Sequence, residues 1–385
     1  MKIGINAHAL GTKVGGDETY IRNVIRGLVT TYPNDDYNLF FTPPVPEDSI
    51  PPEAMSLRRI VVGPLNPFIR TAVTFPLAAA RADLDVLHVQ YIAPPICPVP
   101  FVVSVHDIAY ERYPQFFTPH DVQQLRVSIP LSIRGASAVL TLSEYSKQDI
   151  IRRYKTPEDK IVVAPCAADP MYTVLHDDAR LDAIREQYNT GDAFILSVGN
   201  LQPRKNLRTL IDAYVRLRRA GATTAKLVLV GKAAWLTDDI FTAARKSGYA
   251  DDLVFTGYVP DDDLVALYNA ATVFVYPSVF EGFGLPPLEA MACGTPVVCG
   301  NRSALPETVG AAALMVDPED AEAMATAIAR VLNDEATARM LRQRGPEQAA
   351  RFSWDATARI IHDVYRSVAR TTRGPLCPSV KEMSR

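Results

Sequence analysis

Short, nearly continuous apolar runs recur along the chain and alternate with longer amphipathic stretches. This pattern restricts the available folds more than any other feature. In the first half the runs are 2–7 (KIGINA), 37–42 (YNLFFT), 58–63, 85–90 (DVLHVQ), 101–106 (FVVSVH), 138–143 (AVLTLS) and 160–165 (KIVVAP). In the second half they are 194–199 (FILSVG), 226–231 (KLVLVG), 253–257 (LVFTG), 273–277 (VFVYP), 296–300 (PVVCG) and 312–317 (AALMVD). Runs of this length predict strands, and their continuous apolarity predicts parallel sheets covered on both faces. Ile21, Val24, Ile25 and Leu28 recur with helical spacing, as do Leu207, Leu210, Ile211, Tyr214 and Leu217 before Gly221. So many strands are too many for one comfortable sheet. The expectation is an α/β chain of two Rossmann-like, doubly wound domains with a cleft between them. Residues 1–172 would form the acceptor-side domain and 190–350 the donor domain, with their boundary in the polar stretch 170–192. A C-terminal segment, about 354–385, opens with an amphipathic helix (Ile360, Ile361, Val364, Tyr365) and is expected to pack back on the first domain. Its polar, Pro-containing end from Thr371 reads as mobile.

Bulk properties exclude several classes. A chain of 385 residues is long for one domain and comfortable for two. A net charge of −3 gives no field to gather nucleic acid, so none is expected as a partner. The cysteines (Cys97, Cys166, Cys293, Cys299, Cys377) show no metal-ligand or redox spacing and read as reduced thiols. The N-terminal MKIGINAHAL reads as a first strand rather than a signal peptide. No run approaches the ~20 apolar residues of a membrane span. A cytoplasmic protein is therefore expected.

In doubly wound sheets, ligands bind at the carboxyl ends of the strands, so the loops that follow strands are the informative ones. EGFGLPPLE (Glu281–Glu289) follows VFVYP, and Pro286 and Pro287 then open a helix that Gly294 ends. The N–H groups of Phe283, Gly284 and Leu285 are placed to meet an anion at that helix N-terminus. Glu281 and Glu289 are candidate acceptors for sugar hydroxyls. The plain alternative is a tight loop with two exposed glutamates. In GNLQPRKNL (199–207), Arg204 and Lys205 stand just before a helix that Asn206 is expected to cap. Two cations there suit a diphosphate, and a solvated basic pair is the alternative. In GTKVGGDETYIRN (11–23), Gly15 and Gly16 precede a helix with Asp17 as expected N-cap. His106 and Asp107 end the run FVVSVH, where His106 is suited to meet a sugar hydroxyl or to serve structurally. Gly231 and the pair Tyr258–Val259 follow two further strands, where backbone amides and the Tyr258 ring are candidates for contact with a base. PDDDL (260–264) reads as helix capping and dipole compensation rather than a metal motif. Arg152, Arg153 and Lys155 read as a solvated helix face, with anionic lipid as the alternative.

The segment EGFGLPPLEAMACGTPVV closely resembles the signature of the retaining family 4 glycosyltransferases, whose motif is two glutamates separated by seven residues. The similarity runs from the N-terminal glycine loop to about residue 320 and is strongest to bacterial mannosyltransferase-like members that build surface polysaccharides. It implies the GT-B fold. It also implies that Glu281 contacts the donor sugar and Glu289 the ribose, that Arg204 and Lys205 hold the donor diphosphate, that Gly15 and Gly16 face the donor phosphate and acceptor, and that His106 lies near the transferred carbon. Many members carry arginine where this chain has Asn200. The implied reaction retains configuration and needs no metal or cofactor. GDP-mannose is the favoured donor and UDP-glucose the rival. The acceptor would be a glycan or a lipid-linked glycan, with peripheral contact at the inner face of a membrane as a further expectation. A nucleotide-sugar epimerase of the same fold and a non-catalytic sugar-nucleotide-binding protein are the competing classes. A nicotinamide-dependent dehydrogenase is disfavoured because neither half carries the G-x-G-x-x-G turn.

Overall fold

The computed structural model describes residues 1–12, 15–45, 47–64, 66–235 and 237–372. Cys377 and the expected extension of the last helix beyond residue 372 lie outside them.

Two parallel sheets carry the chain. The first contains β1 (Lys2–Asn6), β2 (Asp36–Phe41), β3 (Arg58–Val61), β4 (Val86–Gln90), β5 (Phe101–Ser104), β6 (Ala138–Thr141) and β7 (Ile161–Val163) in the order β3-β2-β1-β4-β5-β6-β7. The second contains β8 (Phe194–Val198), β9 (Lys226–Val230), β10 (Leu253–Gly257), β11 (Val273–Tyr276), β12 (Val297–Gly300) and β13 (Ala313–Val316) in the order β10-β9-β8-β11-β12-β13. Register is set by apolar pairs such as Ile3 with Tyr37 and Val86, and Val275 with Val298. These central strands are buried from both sides, which explains why their sequences lack alternation. The strand order reverses between β1 and β4 in one sheet and between β8 and β11 in the other. Those two switch points are where a crevice opens in such sheets.

Helices cover each sheet in separate apolar layers. Gly16–Thr31 buries Ile21, Val24, Ile25 and Leu28 on one face of the first sheet, and Trp354–Thr372 joins it there through Ala358, Ile361 and Tyr365. Polar contacts fix this last helix to the first lobe. Tyr365 Oη lies 2.6 Å from His88 Nδ1, His362 Nε2 lies 2.7 Å from Asp35, and Thr357 Oγ1 donates to Pro165 O at 2.5 Å. On the opposite face, Phe75, Ala79, Ile129, Ile133 and Ile150 form a separate core. In the second lobe, Leu207–Arg219 buries Leu207, Leu210, Ile211, Tyr214 and Leu217 against β8 and β9.

Two caps differ from expectation. The Gly16–Thr31 helix takes Gly15 as its N-cap, and Asp17 lies inside the first turn with its carboxylate directed elsewhere. Asn206 occupies the N-cap position of Leu207–Arg219 in a left-handed conformation, but its side chain caps no backbone N–H. Its amide donates to Pro318 O at 2.5 Å and its oxygen accepts from Thr209 Oγ1 at 2.7 Å. The strand expected to reach His106 stops at Ser104, which leaves His106 beyond the end of the ladder and facing the cleft.

Candidate active site

The cleft is a cavity of about 1520 Å³ at the carboxyl ends of both sheets. The residues expected at the catalytic and donor sites line it: Gly15, Gly16 and His106 from the first lobe, and Asn200, Arg204, Lys205, Gly231, Tyr258, Val259, Glu281, Phe283, Gly284, Leu285 and Glu289 from the second.

Glu281 organises the donor side. It is buried at the end of the loop after β11, and four groups donate to its carboxylate. Arg204 reaches one oxygen at 2.8 Å, while Lys205 at 2.6 Å, Tyr276 at 3.0 Å and Ser278 at 2.5 Å reach the other. Arg204 also donates to Phe280 O at 2.7 Å, and Lys205 donates to the Tyr276 hydroxyl at 2.5 Å. Burial alone would raise the carboxyl, but the two cations hold it down at about 2. Burial pulls the Lys205 ammonium down to about 8, with Arg204 adding to the effect and Glu281 opposing it. Arg204 is pushed up, because Glu281 and Asp107 outweigh burial. The pair is therefore desolvated and pre-oriented, not a solvated basic patch. Arg204 and Lys205 are held side by side at the cleft, where an incoming anion could accept from both.

The helix Leu285–Ala292 begins beside this cluster, with Gly284 as N-cap and Pro286 and Pro287 in its first turn. Among the described residues no hydrogen bond uses the N–H groups of Phe283, Gly284 or Leu285. Unpaired N–H groups at a helix N-terminus beside two cations are suited to a phosphate oxygen.

On the facing wall, His106 Nδ1 lies 3.1 Å from Asp17 Oδ1. Nε2 is buried with no partner among the described residues. Tyr20 and Tyr91 hold the ring edge-on at centroid distances of 4.4 Å and 5.0 Å. Burial disfavours the Asp17 carboxylate, but the hydrogen bond and charge of His106 outweigh it and lower its pKa. Asp17 thus leaves the capping role to orient His106. The two lobes meet closely here. Asn200 Nδ2 lies 3.6 Å from where a Cβ on Gly15 would stand, and a Cβ on Gly282 would stand 2.5 Å from His106 O.

The base-side residues divide. Tyr258 is 49% exposed, with Lys232 Nζ 5.1 Å above its ring, whereas Val259 is buried. Gly231 was expected to offer its amide to a base, but that N–H donates to Gly257 O at 2.9 Å. A Cβ at Gly231 would stand 2.1 Å from Gly199 O, so its lack of a side chain serves the close approach of two strand ends. Glu289 is buried and accepts from Tyr268 Oη at 3.0 Å. Burial pushes its carboxyl up to about 8. The three aspartates after Pro260 lie in the first turn of Asp261–Ala270, as dipole compensation requires. Asp263 accepts from Tyr188 Oη at 2.8 Å and Asp261 pairs with Arg22.

Sequence reasoning missed Asp17 as a site residue, along with Tyr276 and Ser278. The last two flank the end of β11, so their place five and three residues before Glu281 is the signal that would have found them. Nothing local marks Asp17, whose partner is 89 positions away.

Residues 181–348 match the family model described as "Glycosyl transferases group 1", and residues 14–171 match "Glycosyltransferase Family 4". The chain is 37% identical over 254 residues to an O-antigen chain mannosyltransferase B of Escherichia coli, which covers 66% of this chain and 67% of that protein. It is 36% identical over 241 residues to a serotype-specific mannosyltransferase, WbdA, of Escherichia coli. That match covers 62% of this chain but only 30% of the relative, so the chain spans under a third of that protein. Among solved structures, a sucrose-phosphate synthase from Thermosynechococcus elongatus superposes with a TM-score of 0.76 at 23% identity, covering 96% of this chain and 99% of the other.

Proposed function

This chain belongs to the family 4 glycosyltransferases of GT-B fold, and from that premise we propose that it moves a hexose, with mannose favoured, from a nucleoside diphosphate sugar to a glycan or lipid-linked acceptor. The observation that carries this is the Glu281 cluster: a desolvated Arg204–Lys205 pair beside unpaired helix N–H groups, facing His106 across the cleft. Mannose is favoured because the E. coli relatives are named mannosyltransferases. GDP-mannose is then the donor, with UDP-glucose the alternative.

The reaction needs negative charge taken up on the leaving diphosphate as the glycosidic bond breaks. Arg204, Lys205 and the N–H groups of Phe283, Gly284 and Leu285 stabilise that charge more in the transition state than in the ground state. These groups supply the positive charge, so no step requires a divalent cation. In the retaining course, a leaving phosphate oxygen takes the acceptor's proton on the face from which the acceptor attacks. Glu281 holds both cations, and we assign it to a hydroxyl of the donor sugar, Glu289 to the ribose and Tyr258 to the base. Closure of the lobes excludes water and limits donor hydrolysis.

The Asp17–His106 pair favours a second course. A carboxylate-oriented imidazole with a buried, unpartnered Nε2 is the arrangement of a general base, and deprotonating the acceptor from the far side of the sugar would invert configuration. One experiment separates them. The protein is incubated with GDP-mannose or UDP-glucose and an acceptor glycan, with and without a chelator, and the anomeric configuration of the product is read by NMR. Transfer from GDP-mannose with retention and no effect of chelator is expected. An inverted product sinks the retaining course, loss of activity restored by divalent metal sinks the metal-free one, and faster transfer from UDP-glucose reassigns the donor.

A further inference from the structure

The last helix of the chain returns from the second lobe and sends a polar side chain into the first sheet. Helix Trp354–Thr372 packs on Gly16–Thr31 so closely that a Cβ on Gly27 would stand 3.1 Å from Trp354 O. Its Tyr365 Oη lies 2.6 Å from Nδ1 of His88, in the middle of β4. His88 Nε2 lies 2.7 Å from Ser104 Oγ at the end of β5, and Ser104 Oγ lies 2.9 Å from Tyr20 Oη. These four side chains make one hydrogen-bonded chain from Trp354–Thr372 to Gly16–Thr31, and none is more than 1% exposed. It ends at the catalytic cleft, where the Tyr20 ring meets His106 edge-on at 4.4 Å. The Trp354 ring also stands edge-on to Tyr20, at 6.3 Å.

The chemistry of this chain is orientation rather than charge. Burial, with the charge of His106 adding to it, pulls the His88 imidazole down to about 3, so the ring is neutral. A neutral imidazole donates from one nitrogen and accepts at the other, so the direction of each bond in the chain sets the direction of the next. Burial raises the Tyr20 and Tyr365 phenols, so both keep their protons. Packing alone does not call for such a network. Polar groups in an apolar interface are costly unless satisfied, and apolar side chains of the same shape would pack there without loss. What the network adds is a fixed position for its members. Asp17 and Tyr20 are three residues apart and share a helix face, so one face supplies both the carboxylate and the ring that hold His106.

We propose that Tyr20 is a positioning residue for His106, and that Tyr365 of the last helix holds Tyr20 in place through His88 and Ser104. Asp17 fixes the Nδ1 edge of the His106 ring, and Tyr20 fixes its plane against Tyr91. The last helix therefore completes the catalytic wall of the first lobe, although it follows the donor lobe in sequence. The role in transfer rests on the reading that His106 acts at the transferred sugar.

The test uses the full chain with Tyr20→Phe, Tyr365→Phe and the two combined, each of which removes a hydroxyl and keeps the ring. The kcat for transfer should fall about tenfold in each single variant with the donor KM unchanged, a smaller loss than the roughly 10²-fold of a 1 Å misplacement. The combined variant should fall no further than the worse single one, because both cut the same chain. Ser104→Ala cuts it midway and serves if either phenylalanine variant misfolds. Tyr37→Phe is the control. Tyr37 is buried in the same lobe and its hydroxyl donates to Leu28 O and Tyr32 O, so its loss should lower stability and leave kcat alone. Nitrogen NMR of the histidine rings reads the geometry without turnover. The His106 signal, assigned by its disappearance in His106→Asn, should move in Tyr365→Phe and stay in place in Tyr37→Phe. Additive losses in the combined variant, parental kcat in Tyr365→Phe, or an unmoved His106 signal each overturns the proposal. Full activity in His106→Asn instead removes His106 from the reaction, and the signal then decides by itself whether the chain holds its ring.

Discussion

Glu281 holds two buried cations, so removing it and removing either cation have different consequences. Glu281→Ala leaves Arg204 and Lys205 buried without their counter-charge, which costs about 3–5 kcal/mol for a broken buried pair. It should therefore lose both transfer activity and urea stability. Lys205→Ala leaves Glu281 paired with Arg204 and should lower the transfer rate by roughly 10²–10³-fold with a much smaller stability change. Steady-state kinetics beside urea melts checks both, and near-normal turnover in Lys205→Ala would remove its phosphate role. Glu289 makes a pH prediction. Its carboxyl sits at about 8 in the fold against an ordinary 4.5, so the native state binds a proton that the unfolded chain releases. The resulting stability is complete below about 4.5 and disappears as pH rises through about 8, at a slope of up to ~1.4 kcal/mol per pH unit. Glu289→Gln should flatten that slope in denaturant melts between those pH values. An unchanged slope would mean Glu289 is ionised in the fold.

At the scale of elements, the strand ends determine which small residues the fold requires. Gly231 lets β9 end against the turn after β8, and an alanine Cβ there would stand 2.1 Å from Gly199 O. Gly231→Ala should destabilise the second lobe by roughly 2–4 kcal/mol, since a backbone atom must move to admit it. A calorimetric melt within about 0.5 kcal/mol of the parent would contradict the close approach. The elements themselves were legible in the sequence, because apolar runs and helical spacing survive whatever the tertiary context. Their caps were less so. Asp17 and Asn206 are good capping residues by type, yet each side chain takes a tertiary partner: His106 for one, Pro318 and Thr209 for the other. Capping propensity is worth about 1 kcal/mol, and a buried or long-range partner outweighs it.

For the whole molecule, the two lobes are held together across the cleft. Ser143 Oγ donates to Gly282 O at 2.8 Å, and the Glu307 carboxylate accepts from the N–H groups of Glu144 at 2.9 Å and Tyr145 at 2.7 Å. Trp235 Nε1 donates to Phe116 O at 2.7 Å. Gly282 packs so closely on His106 O that any side chain would hold the lobes apart. Gly282→Ala should leave each lobe folded but lower transfer by about 10²-fold, since misplacing reacting groups by about 1 Å costs that much. Small-angle scattering would show a larger radius of gyration for the variant. An unchanged radius and full activity would show that closure does not depend on this contact.

The sequence by itself determined the strands and helices, the two-sheet architecture and the loops that carry Glu281, Arg204, Lys205 and His106. Apolar periodicity and strand-end position are local properties that the chain displays directly. The tertiary structure alone decided that Glu281 binds both cations, that Asp17 orients His106, that the Gly231 amide is occupied, and that Tyr365 reaches His88. Each depends on side chains distant in sequence being brought within hydrogen-bond reach, or left outside it, by the packing of two lobes. Burial then set their charges in ways that no local pattern encodes.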